Sequence, residues 1–229
     1  MNAQFERLLA RAEQLIDRIE AVLPQPLAAP DWAEAVAWRY RKRSSGHGVL
    51  ERVRHIAALT LDDLKEIEPQ KEKIQRNTQQ FVQGRPANNV LLTGARGTGK
   101  SSLIKACLNS YAAQGLRLIE VDKADLTDLP DIVEIVADRP EKFIIFCDDL
   151  SFEEGEAGYK ALKSILDGSV AAATPNVLIY ATSNRRHLLP ETMKDNLAAT
   201  HSEDGELHPG EAIEEKISLS ERFGLWVSF

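Results

Sequence analysis

Cysteine is scarce: the 229 residues hold two, Cys107 and Cys147. Two cysteines so far apart exclude a disulfide framework and cannot hold a structural zinc ion. The first falls in a run that reads as helix and the second in an apolar run that reads as a buried strand, so both are expected as small buried hydrophobes. Long apolar runs are lacking too. Nothing approaches the roughly 20 residues that cross a bilayer, and the opening MNAQFERLLARAEQ carries acids where a secretion signal carries a basic and then an apolar stretch. A soluble, cytoplasmic protein without membrane contact is expected. No repeat or low-complexity tract interrupts the chain.

What is present suffices for a folded core, with 43% apolar and 28% charged residues. The net charge of −7 divides unevenly, +2 over residues 1–56 and −9 over residues 57–229. An acidic main domain excludes broad electrostatic adhesion to nucleic acid, while leaving room for a local basic stripe.

Apolar residues from Phe5 to Leu23 recur at three- and four-residue spacing, which predicts an amphipathic helix ended by Pro24. Pro24 to Pro30 reads as a linker. Asp31 is placed to cap a short helix, Trp32 to Tyr40, followed by a basic loop from Arg41 to Gly48. Val49 to Gln80 reads as helical with breaks near Thr60 and Pro69. Residues 1–58 are therefore expected to form a helical N-terminal extension and residues 59–229 the main domain. In the latter, Val90–Thr93, Leu116–Val121, Phe143–Cys147, Val177–Thr182 and Leu225–Phe229 are short apolar runs separated by helical stretches, which predicts an α/β fold with a parallel sheet of at least five strands between helices.

The chemistry concentrates at the ends of these strands. Gly94, Ala95, Arg96, Gly97, Thr98, Gly99, Lys100 and Ser101 satisfy G-x-x-x-x-G-K-[ST], after a strand and before a helix that opens at Ser102. The glycines let successive N–H groups face a phosphate, and the helix adds its positive end. Residues 94–102 are the predicted nucleotide site. Lys100 is expected to neutralise the β- and γ-phosphates of ATP, Ser101 to ligand Mg2+, and Arg96 to face solvent. The second buried strand ends in Asp148 and Asp149, 48 residues after Lys100. Asp148 is the expected Mg2+ partner; Asp149, with Glu153 and Glu154 nearby, is placed to orient or deprotonate the attacking water. A third buried strand ends at Asn184, which can reach the γ-phosphate or that water.

In this order the segments resemble those of AAA+ ATPases, where they are called Walker A, Walker B and sensor 1. The resemblance extends to Ser220-Glu221-Arg222-Phe223, where such proteins often carry an arginine finger. Arg222 is thereby implied as a catalytic residue acting on the ATP of a neighbouring subunit, in a homo-oligomer with nucleotide-shared interfaces. The stretches around Pro86–Ser102, Phe146–Phe152, Tyr180–Pro190 and Glu215–Trp226 are more similar still to the bacterial domain-of-unknown-function 815 family of AAA+-like proteins, over residues 35–229. Two departures stand out. Asp149 occupies a place where Glu is common, and the helical lid with its sensor 2 arginine that usually follows the fifth strand has no counterpart before Phe229.

The resemblance implies a fold and nucleotide chemistry; the expected function is ATP hydrolysis that drives remodelling or loading of a macromolecular partner, protein or nucleic acid. A P-loop kinase acting on a small molecule is the alternative, though it leaves Asn184 and Arg222 without a task. A third reading is an ATP-gated binding module, with the basic Arg39, Arg41, Lys42 and Arg43 beside Trp38 and Tyr40 as its contact surface. The blander expectation for those aromatics is packing on the domain. His201, Glu203, Asp204 and His208 read as a polar loop, and Arg185, Arg186 and His187 as groups near a phosphate or a neighbour.

Overall fold

The computed structural model of the chain describes residues 3–20, 27–43, 46, 48–152, 156–167, 174–184, 200–201, 207–208 and 219–229. The five predicted strands all form: β3 (Val90–Thr93), β4 (Leu116–Glu120), β5 (Lys142–Cys147), β6 (Val177–Ser183) and β9 (Leu225–Ser228). They are parallel to one another, in the spatial order β4-β5-β6-β3-β9. The near-continuous apolar character of β3 to β6 follows from cover on both faces, while β9 lies at the edge and is partly exposed. On one face α2 (Glu68–Val82) and α3 (Lys100–Tyr111) bring Ile74, Phe81, Leu103 and Leu108 against Val90, Leu92, Ile144 and Tyr180. On the other, α4 (Leu129–Val136) and α5 (Ala157–Leu166) bring Ile132, Val136 and Leu162 against Leu91, Phe143, Ile145 and Ile179. Cys107 and Cys147 are buried, one in each layer of the core, as expected.

The sheet has seven strands, two beyond these five, because Ala37–Tyr40, expected as the end of a helix over Trp32–Tyr40, is extended and Gly48–Arg52 pairs with it. β1 (Ala37–Lys42) runs parallel to β4, with Ala37 opposite Leu118, and forms an antiparallel hairpin with β2 (Gly48–Arg52) at the sheet edge. Along β1 the side chains alternate: Trp38 and Tyr40 point into the core, while Arg39 is half-buried and Arg41 exposed. Trp32 meets Trp38 edge-on at 4.7 Å and Phe143 at 4.8 Å, so the aromatic cluster anchors the edge. Asp31 does accept a hydrogen bond, from the Ala33 amide at 2.9 Å, but it closes a turn. Of the region read as broken helix, Val49–Arg52 belongs to β2 and only α2 is α-helical, with Pro69 in its first turn, where a missing N–H costs nothing.

The basic stripe is paired within the fold, four cations against three carboxylates. Arg39 pairs with Glu120 at 2.8 Å, Lys42 with Asp128 at 2.9 Å, and Arg41 and Arg43 flank Glu51 at 3.5 and 3.9 Å. Tyr40 donates to Asp128 at 2.8 Å, and burial with that carboxylate beside it pushes its phenol pKa up. The aromatics are thus packed on the domain rather than presented for stacking. α1 (Ala3–Glu20) forms as expected. A separate two-residue pairing joins β7 (Thr200–His201) to β8 (Leu207–His208). No helix among the described residues is long and apolar enough to cross a membrane.

Candidate functional site

Parallel pairing brings the C-terminal ends of β3, β5 and β6 to one edge of the sheet, with Thr93 level with Ser183 and Cys147 level with Ala181. The loop from Gly94 to Gly99 leaves β3 there and turns into α3. Gly94 has φ 146, and a Cβ on it would lie 2.7 Å from the Phe229 carbonyl oxygen and 2.9 Å from the Phe229 Cβ, so only glycine fits. Gly99, at φ 93, is the left-handed residue from which α3 begins. The loop is held by the Gly94 amide donating to Ser183 O at 3.2 Å and by Thr98 Oγ1 donating to Ala95 O at 2.9 Å.

Lys100 is only 5% exposed. Its ammonium turns back over the loop and donates to Gly94 O at 2.8 Å, Ala95 O at 2.7 Å and Asn184 Oδ1 at 3.2 Å. Burial draws its pKa below the usual lysine value, opposed by the negative charges of Asp148 and Asp149. The charge is therefore held where an anion would meet it, on partners it can exchange.

Around the lysine the two aspartates are tied by a chain of short hydrogen bonds. Ser101 Oγ donates to Asp148 Oδ1 at 2.6 Å, and Thr182 Oγ1 donates to the same oxygen at 2.5 Å. Thr182 Oγ1 in turn accepts the Asp149 amide at 2.9 Å. Asn184 Nδ2 donates to Asp149 Oδ1 at 2.6 Å, so the side-chain amide of Asn184 bridges Lys100 and Asp149. Asp149 sits at φ 52, a left-handed conformation that aspartate tolerates better than most residues. The turn is pinned by Leu150 N donating to Thr182 O at 2.7 Å and Ser183 Oγ donating to Leu150 O at 2.7 Å.

These residues line a cleft of about 270 Å³ that takes in Arg96 to Ser102, Asp148, Asp149, Thr182 and Asn184. Most of the residues picked from the sequence thus converge. Thr182 was not among them; its only signal was a hydroxyl beside Ser183 at the end of a mostly apolar strand. Arg96 is exposed, as expected, yet lies on the cleft wall. Arg222 is not in the cleft lining; its guanidinium pairs with Asp167 at the end of α5. Glu153, Glu154, Arg185, Arg186, His187, Glu203 and Asp204 lie outside the described residues, as do the side chains of His201 and His208.

The strand, glycine loop and lysine-headed helix, with an acidic strand end beside them, are the arrangement of a P-loop NTPase. A family model described as protein of unknown function (DUF815) matches residues 33–229. The chain belongs to that family. No curated protein matches this DUF815 sequence. Among solved structures, it is similar to the Thermotoga maritima RuvB Holliday junction branch migration motor, at 16% identity and a TM-score of 0.47, over 76% of this chain and 48% of that one. It is also similar to a structure of DnaI, at 19% identity and a TM-score of 0.48, over 77% of this chain and 90% of that one. A DNA replication initiation factor aligns at 15% identity and a TM-score of 0.44, over 75% of this chain and 49% of that one. The DUF815 chain therefore spans about half the length of the RuvB structure, 48%.

Proposed function

We propose that this protein binds ATP with Mg2+ in the cleft between Gly94–Ser102 and Asp148–Asn184, and hydrolyses it. The carrying observation is the convergence of a nearly buried lysine, a serine–aspartate pair at 2.6 Å and an aspartate–asparagine pair at 2.6 Å on one cleft of about 270 Å³. The residues fit the metal. Ser101 and Asp148 offer hard oxygen donors side by side at a solvent-accessible wall, which suits an ion that keeps several of its waters. Among the described residues no group of three or more His, Cys, Asp or Glu is placed for a different kind of metal site. When bound, Mg2+ supplies charge neutralisation between the phosphates.

The chain's own groups do the rest. The loop amides and the N-terminal end of α3 receive the phosphates. Lys100 exchanges its bonds to Gly94 O and Ala95 O for phosphate oxygens, and loses little by the exchange because those carbonyls remain near solvent. Asp149, aimed by Asn184, accepts the proton of the attacking water. Asp149 is one methylene shorter than glutamate, and its left-handed backbone sets the direction from which it acts.

The test is nucleotide binding and phosphate release by purified variants. Lys100→Ala removes charge-assisted contacts worth about 1.5–3 kcal/mol, so ATP binding is expected to weaken by roughly ten- to a hundredfold or more. Asp149→Asn keeps the hydrogen bond from Asn184 and is expected to bind ATP normally while hydrolysis falls by about 10²–10⁴. Parent-level ATP affinity in Lys100→Ala overturns the site; parent-level phosphate release in Asp149→Asn overturns the assignment of the base.

A further inference from the structure

Arg96 stands on the cleft wall with an exposed side chain, and its guanidinium meets no hydrogen-bond or ion-pair partner among the described residues. Arg39, Arg139 and Arg222, by contrast, each face a carboxylate. The two acids of the same cleft are already engaged, Asp148 by Ser101 and Thr182, and Asp149 by Asn184. A cation left unpaired beside them is free to take an anion that enters the cleft.

Backbone geometry fixes how near Arg96 stands to the phosphate position. Lys100 Nζ lies 2.7 Å from Ala95 O. In a trans peptide that oxygen is about 2.8 Å from the next Cα, so the Arg96 Cα lies within about 5.5 Å of the lysine ammonium. An arginine side chain is longer than that gap. Gly97, at φ 83, has open space where a Cβ would stand, so no neighbouring group crowds this part of the loop.

We propose that Arg96 is a catalytic residue whose guanidinium closes over the γ-phosphate of ATP in its own chain's cleft. This rests on the reading of the cleft as an ATP site. Lys100, only 5% exposed, meets the phosphates from within the loop, and Arg96 meets the terminal one from the solvent side. Its planar fork holds two γ-oxygens at once. The water oxygen bonds to the γ-phosphorus as its proton passes to Asp149, and the bond from that phosphorus to the β–γ bridging oxygen breaks to release ADP. Arg96 stabilises the charge on the γ-oxygens during the transfer.

The experiment compares ATP binding, ADP binding and phosphate release in variants of the full chain. Arg96→Ala removes an exposed side chain without partners and is expected to unfold at the parent's temperature. Its ATP affinity is expected to fall roughly tenfold or more while ADP affinity stays within about twofold, because ADP lacks the phosphate that Arg96 holds. Phosphate release at saturating ATP is expected to fall about a hundredfold or more. Arg96→Lys keeps the charge without the fork and is expected to recover part of both. Mixing Arg96→Ala with Lys100→Ala tests the placement within one chain, since Lys100→Ala retains Arg96 but binds ATP poorly. At equal total protein, the rate per Arg96→Ala chain is expected not to rise in the mixture. A rise places Arg96 on a neighbour's nucleotide and overturns the proposal, as does parent-level phosphate release in Arg96→Ala or an equal loss of ATP and ADP binding. A parent chain that binds neither nucleotide overturns the ATP site, and this role with it.

Discussion

At Thr182 one hydroxyl serves two acids: it donates to Asp148 Oδ1 at 2.5 Å and accepts the Asp149 amide at 2.9 Å. It sets the carboxylate beside Ser101 and the backbone turn that aims Asp149. Thr182→Val keeps the volume but leaves Asp148 with the Ser101 hydrogen bond alone and the Asp149 N–H without its acceptor. A lost hydrogen bond to a charged group costs about 1.5–3 kcal/mol, so Mg2+-dependent ATP turnover is expected to fall roughly ten- to a hundredfold. Thr182→Ser is expected to restore most of it. Phosphate release measured in parallel for the two variants decides the matter; equal rates in Thr182→Val and the parent reduce the threonine to a packing residue. Lys100, Ser101 and Asp148 were legible as motif positions because their chemistry requires those residue types at those places. Thr182 was not, because a threonine in an apolar run serves equally well as an ordinary strand residue. Only the register of β6 against β3 and β5 turns its hydroxyl to the aspartates.

Among the elements, the β1–β2 hairpin shows where sequence pattern and structure part. Trp38 and Tyr40 lie two apart with Arg39 between them and Arg41 after, a spacing too short to separate helix from strand by periodicity. What settles it is outside the segment: the edge of β4 offers unpaired backbone groups, and Trp32, Phe143 and Leu126 form the apolar surface that Trp38 joins. Trp38→Ala removes a 1%-exposed ring from that cluster and is expected to cost about 3–5 kcal/mol of folding stability, seen as a lower urea midpoint. The hairpin is separated from β3 by β4, β5 and β6, so ATP affinity of the folded variant is expected to stay within about threefold of the parent, well under one kcal/mol. Strands β3, β4, β5 and β6 were legible from sequence alone, since burial on both faces demands near-continuous apolar runs. An edge hairpin with one face in the core has no such requirement.

On the scale of the whole molecule, the cationic side chains on the cleft wall, among the described residues, are Arg96 and Lys100. The Arg222 that the resemblance implies as a finger is paired with Asp167 of its own chain. To act on ATP it must give up that partner for the site of a neighbouring copy. Turnover per chain is then expected to rise with protein concentration in the parent, and Arg222→Ala is expected to lose that rise, by about 10³-fold or more at saturation, while still binding ATP. A parent rate independent of concentration and unchanged in Arg222→Ala, measured as phosphate release over a dilution series, rules out the finger. By itself the sequence determined the layered α/β core, the glycine loop and the lysine, serine and aspartate at its strand ends, because each follows from local geometry: burial on two faces, a tight turn with left-handed residues, a helix start beside an anion. Tertiary structure alone decided that Thr182 holds both aspartates, that Asn184 bridges Lys100 and Asp149, that Phe229 leaves room only for glycine at position 94, and that Trp38 lies in a strand. Those outcomes depend on register and on contacts between residues far apart along the chain, which local pattern does not encode.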